Sequence, residues 1–171
     1  KFLWTCNGTD APRHWNGSVW AQPSLTGVTA TDIIHVNAHK HRLWFAFRDS
    51  TQAGYLATSA IAGAVTTFQL GSLFTKGGYL VGMATLTRDG GSGEDDLAVF
   101  ISSEGQLAVY AGTDPASATT WVLEGVYDMG DPIGRRCFIK AGAGLVVINI
   151  DGVIPIPQAL SLNREAVADI A

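Results

Sequence analysis

From Leu97 the chain reads Leu-Ala-Val-Phe-Ile-Ser, with Leu97, Val99 and Ile101 alternating with Ala98, Phe100 and Ser102. Successive side chains of a strand point to opposite faces. Both sets here are mostly apolar, so the pattern predicts a strand buried on both sides. Ser103-Glu104-Gly105 then returns the chain into Leu107–Tyr110, because a few residues containing Gly between two apolar runs mark a hairpin. That hairpin, closed by a Thr113-Asp114-Pro115 turn before Trp121, is expected to present a flat pairing surface.

The same device recurs along the chain. "IIHVNAHKHRLWFAF" turns near His39–His41 and re-enters at Leu43, and "FTKGGYLVGMATL" turns at Gly77-Gly78 and re-enters at Leu80. "CFIKAGAGLVVINI" re-enters at Leu145, and "INIDGVIPI" carries Asp151-Gly152, a pair suited to a type I′ turn with positive φ at both central residues. The re-entry leucines echo, irregularly, a propeller blade period of about 40 to 50 residues. "NGTDAPRHWNGSVWA" reads as an edge hairpin turning at Asn16-Gly17. Helical spacing is weak except in "LSLNREAVADIA", where Ser161 or Asn163 can cap a short helix.

The expected fold is therefore all-β, with antiparallel hairpins in a propeller-like or sandwich arrangement and a short C-terminal helix. One module spans 1–171: a Trp-rich hairpin over 1–31, successive hairpins over 32–160 and the helical segment over 161–171.

Composition narrows the function. Of 171 residues, 47% are hydrophobic and only 15% charged, against about 25% charged in an ordinary soluble domain. A surface so short of charge suits contact with other protein. The net charge of −4 and the single adjacent basic pair, Arg135-Arg136, argue against a nucleic-acid surface; the pair reads as a solvated strand end. Cys6 and Cys137 stand far apart, without the paired spacing of a metal site or the density of a disulfide scaffold. Cys137 reads as an inert core residue. No apolar run reaches the roughly 18 residues of a membrane span, and no signal peptide opens the chain. The opening Lys-Phe-Leu-Trp, without a methionine, reads as the start of a piece cut from a longer polypeptide.

Candidate chemistry is sparse. His35, His39 and His41 fall at even spacing on what would be one strand face and are the candidates for a metal. The hairpin turn would splay them, and Lys40 and Arg42 repel a cation, so no metal or other cofactor is expected. Asp89, Glu94, Asp95 and Asp96 lack calcium-loop spacing and read as an acidic hairpin loop. The G-x-S-x-G elbow is absent, and all four histidines lie at or before position 41, so no catalytic residue is assigned. "GTDPASATTW" resembles the aspartate box of sialidase propellers, with a longer Asp114-to-Trp121 spacing and no central Gly; such boxes are structural turns. Asn7-Gly8-Thr9 and Asn16-Gly17-Ser18 match the glycosylation pattern but read as tight turns. Trp15, Trp20 and Trp44 are the candidates for stacking on a ligand ring.

Several long stretches resemble a module of tailed-bacteriophage and prophage structural proteins. They are "HRLWF", "KGGYLV", "DDLAVFISSEGQLAVYAGTDP" and "PIGRRCFIKAGAGLVVINIDGV", and the likeness runs from Asp32 to the end. It implies a virion protein, made in the bacterial host cytoplasm: a propeller-like part of the tail or of the head-to-tail connection. Its partners would be other virion proteins and copies of itself, with no membrane, no nucleic acid and no catalysis. A carbohydrate- or receptor-binding β domain is the alternative.

Overall fold

The computed structural model describes residues 2–87, 96–142 and 144–157. The segment expected to form a helix, 161–171, lies outside the described residues, as do Asp89, Glu94 and Asp95. What is described is all β. The strands are β1 (Leu3–Thr5), β2 (Arg13–Trp15), β3 (Trp20–Ala21), β4 (Leu25–Thr26), β5 (Ile33–His39), β6 (Arg42–Phe47), β7 (Gln52–Tyr55) and β8 (Gly63–Ala64). They continue with β9 (Thr66–Gln69), β10 (Leu80–Leu86), β11 (Leu97–Ser102), β12 (Gln106–Gly112), β13 (Trp121–Asp128), β14 (Phe138–Ala141), β15 (Gly144–Asn149) and β16 (Gly152–Pro155). No helix among the described residues is long and apolar enough to cross a membrane.

Four antiparallel sheets follow one another in chain order. They are β1-β2-β3, β5-β6-β7-β9, β10-β11-β12-β13 and β14-β15-β16, while β4 and β8 form a small parallel pair. Each strand order is open, and no sheet closes on itself among the described residues.

The sheets stack face to face, and period-two alternation decides which residue enters which layer. In β11 the even positions Ala98 and Phe100 join Trp44, Ala46, Ala53 and Tyr55 of the second sheet in one core. The odd positions Val99 and Ile101 join Leu145, Val147 and Ile156 in another, against the fourth sheet. All six residues of β11 are buried, so the two-faced apolar strand is as the alternation predicts. The other face of the second sheet, with Ile33, Phe45 and Phe47, is covered by Trp4, Cys6, Leu25 and Val28. At about 1.5–3 kcal/mol for each large apolar side chain removed from water, these three cores are the main source of stability.

Two turns depart from their expected form, and one hairpin from its expected exposure. The β15–β16 connection centres on Ile150-Asp151, with Asn149 paired to Gly152. Of the expected Asp151-Gly152 pair only Gly152 has positive φ (131°), so the turn lies one residue earlier and is not type I′. Gly77-Gly78 does not close a hairpin: β9 before it pairs with β7, and β10 after it pairs with β11. The glycines instead carry the chain from the second sheet to the third. Finally, the Leu97–Tyr110 hairpin is no exposed pairing surface, because its two faces are consumed by the neighbouring sheets.

Candidate functional site

The histidine cluster resolves into sheet-to-sheet fastening. On β5, His35, Asn37 and His39 share one side, and all three reach β10. His35 Nε2–H donates to the Met83 carbonyl at 2.8 Å, and Asn37 Nδ2 reaches Met83 Sδ at 3.4 Å. His39 Nδ1 stands 3.0 Å from Thr85 Oγ1, whose own proton goes to the Ala38 carbonyl at 3.4 Å. Nδ1 therefore donates, leaving the buried Nε2 of His39 as an acceptor with no partner. Burial lowers the pKa of both rings, that of His39 to about 4 with help from nearby Lys40, so both are neutral at physiological pH. His41 is exposed, at φ 61° in the following turn. Among the described residues no group of three or more His, Cys, Asp or Glu gathers as a metal centre would require.

Asp114 does what a structural turn residue does. Its Oδ1 accepts from the Ala116 amide at 3.2 Å and pairs with Arg42 Nη2 at 3.2 Å. The Arg42 guanidinium in turn lies 5.6 Å from the centre of the Tyr55 ring. An open cavity of about 460 Å³ here is rimmed by Lys40, His41, Arg42, Asp96, Thr113 and Asp114. Charges of both signs share its wall.

The three candidate tryptophans part company. Trp44 is 1% exposed and packs among Tyr55, Phe68, Phe100 and Trp121. It cannot stack on a ligand, because the β6 position facing the third sheet is the centre of a core. Trp20 is 46% exposed, and Trp15, half-buried, lies beside it with ring centroids 5.7 Å apart. Strand register adds Leu3: Leu3 pairs with Trp15, and Trp15 with Trp20. The outer face of the first sheet thus carries a row of Leu3, Trp15 and Trp20, opposite the Trp4–His14 face that is turned to the second sheet.

A second exposed face was missed in the sequence. In the fourth sheet, Phe138, Leu145, Val147 and Ile154 face inward to the core shared with the third sheet. Cys137, which precedes β14, joins them at 1% exposure, its thiol pushed up to about 11 by burial. The opposite face follows from the register: Ile139 beside Val146, Val146 beside Pro155, and Ile148 beside Val153. Ala141 and Gly144 complete it. Not one of these seven residues is charged or has a polar side chain, and Ile139 and Val153 are 47% and 66% exposed. The available signal was "LVVI" in β15, apolar at consecutive positions as β11 is.

No family model matches this chain, and no curated protein and no solved structure is significantly similar to it.

Proposed function

We propose that the chain is a non-catalytic structural module that assembles through its sheet faces, as a component of a phage or prophage particle. The phage setting comes from the resemblance of the "DDLAVFISSEGQLAVYAGTDP" and "PIGRRCFIKAGAGLVVINIDGV" stretches to virion proteins. The assembly comes from one observation, the uncharged outer face of β14–β16, with Ile139 and Val153 exposed on it. A contiguous exposed apolar surface of this kind marks a place where protein meets protein. The stacking of successive antiparallel sheets suits a sector of a propeller, in which each sheet is covered by the next. The partners are other virion proteins and further copies of this chain, and repeated use of one face builds a symmetric assembly.

Sedimentation of the purified chain, beside Ile139→Lys and Val153→Lys, tests the reading. Both residues are exposed, so the substitutions leave folding intact and reduce the wild-type assembly to monomers. A wild type that stays monomeric at high concentration, and is absent from induced particles by mass spectrometry, would remove the proposal. Hydrolysis of a host glycan or peptidoglycan above background would equally count against it.

The Leu3–Trp15–Trp20 row favours a second reading, a carbohydrate- or receptor-binding domain. Aromatic rings with one face in water stack on sugar rings. A glycan that shifts the fluorescence of wild type but not of Trp20→Ala would establish it.

A further inference from the structure

Arg135 and Arg136, which the sequence presents as a solvated strand end, meet the N-terminal strand across the fold. The loop after β1 is organised by Asn7. Its Oδ1 accepts from the amides of Thr9 (2.9 Å) and Asp10 (2.8 Å), and its Nδ2 donates to Asp10 Oδ2 at 2.8 Å. Gly8 in this loop sits at φ +75°, a conformation glycine adopts freely. A Cβ there would stand 2.6 Å from Ile34 Cγ2 and 3.4 Å from Arg135 Nη1. The absence of a side chain is what lets loop, β5 and guanidinium converge.

Between them lies a cavity of about 440 Å³, walled by Trp4, Cys6, His35, Val36, Arg135 and Arg136. Its lining includes no carboxylate. The ion pairs among the described residues are Arg42–Asp114, Arg48–Asp32 and Lys76–Asp128, so neither Arg135 nor Arg136 belongs to one. His35 adds no charge: its Nε2–H is spent on Met83, and burial favours its neutral form. Two exposed guanidinium groups, in no ion pair among the described residues, therefore share one concave wall with apolar side chains, in a chain whose net charge is −4.

We propose that this cavity binds a small anionic group, a carboxylate, phosphate or sulfate, held by the guanidinium groups of Arg135 and Arg136 beside the Cys6 thiol. Arginine presents paired N–H donors matched to the oxygens of such groups, and charge-assisted hydrogen bonds of this kind are the strong ones. Trp4, Ile34 and Val36 offer the apolar contact for whatever carries the anion. This site stands apart from the uncharged face of the fourth sheet and does not depend on assembly.

Amide chemical shifts of the intact chain, titrated with sulfate, phosphate or acetate at ionic strength held constant with chloride, test it. Saturable shifts are expected at 6–8 and 135–137, weakened about tenfold in R135Q and in R136Q. Preference for sulfate and phosphate identifies a tetrahedral anion, and preference for acetate a carboxylate; either supports the site. On the wild type alone, Cys6 is the independent reporter, because Cys137 is buried. The bound anion slows alkylation of Cys6 by iodoacetamide, while chloride of equal ionic strength does not. Shifts that are scattered or do not saturate, shifts that persist unchanged in both variants, or alkylation indifferent to the anions would each overturn the proposal.

Discussion

Trp44 of β6 and Trp121 of β13 lie ring over ring, with centroids 5.5 Å apart and planes 16° from parallel. Tyr110 also stacks on Trp121, again at 5.5 Å and at 15°. The three rings run through the core between the second and third sheets, and Trp121 is the piece that an edge strand contributes to it. Most of β13 is otherwise exposed, so the indole is its anchor.

Trp121→Ala is therefore expected to cost about 3–5 kcal/mol. Chemical denaturation measures it. Near-ultraviolet circular dichroism adds a second readout, since Trp44→Phe and Trp121→Phe each remove the signal of the stacked indoles. A loss below about 1 kcal/mol on truncation to Ala would mean that β13 is held by its backbone alone.

Acid is expected to destabilise the fold through His39. Unfolded, this imidazole takes up a proton as the pH falls through 6.5; folded, it does so only near 4. Between those values the unfolded chain holds more protons, so the stability present above pH 6.5 is lost as the pH falls toward 4. Full expression of that gap amounts to about 3 kcal/mol. Lys40 adds to the depression and Asp96 opposes it. Comparing wild type with His39→Gln at pH about 7 and about 5 isolates the effect, because the other titrating groups are common to both. Equal losses in the two proteins would show that the ring is protonated without penalty.

Two glycines with positive φ should respond very differently to alanine. At Gly112 (φ +125°) a Cβ would fall 1.7 Å from the Thr120 carbonyl oxygen, inside the β12–β13 connection. Backbone must move, and a loss of at least about 3 kcal/mol is expected. At Gly17 (φ +105°) no atom lies within 4 Å of the added carbon. Only the backbone conformation resists there, at about 1–2 kcal/mol. Thermal unfolding of the two variants ranks them, and a Gly112→Ala as mild as Gly17→Ala would contradict the tight closure.

Acrylamide should quench the five tryptophans unequally. Trp44 and Trp121 are shielded, whereas Trp20 has nearly half its surface in water. Trp20→Phe is expected to remove most of the quenchable emission. If quenching survives that substitution undiminished, the outer face of the first sheet is covered in solution.

Much of the fold was legible in the sequence. The two-faced apolar alternation of Leu97–Ser102 predicted its complete burial, and Cys137 read correctly as core. The Asn16-Gly17 turn is also as expected: Asn16 Oδ1 accepts from the amides of Ser18 and Val19, both at 2.9 Å. These are local properties, fixed by side-chain period and by turn chemistry.

The function-bearing surfaces were less legible. Trp20 and Trp44 are the same residue type on neighbouring stretches, yet one faces water and the other the centre of a core. Period two says that adjacent residues go to opposite faces, but it does not say which face another layer will cover. For the same reason "LVVI" in β15 and "LAVFI" in β11 look alike, although among the described residues β11 is packed on both faces and β15 on one. The meeting of Arg135 with Gly8 is likewise a product of stacking, since no local signal links residues so far apart. The sequence by itself determined that this protein is built of strands, and where most of them turn, because pleat and turn are set by neighbours along the chain. Which faces are left bare, and which distant side chains share a cavity, only the order of the layers decided.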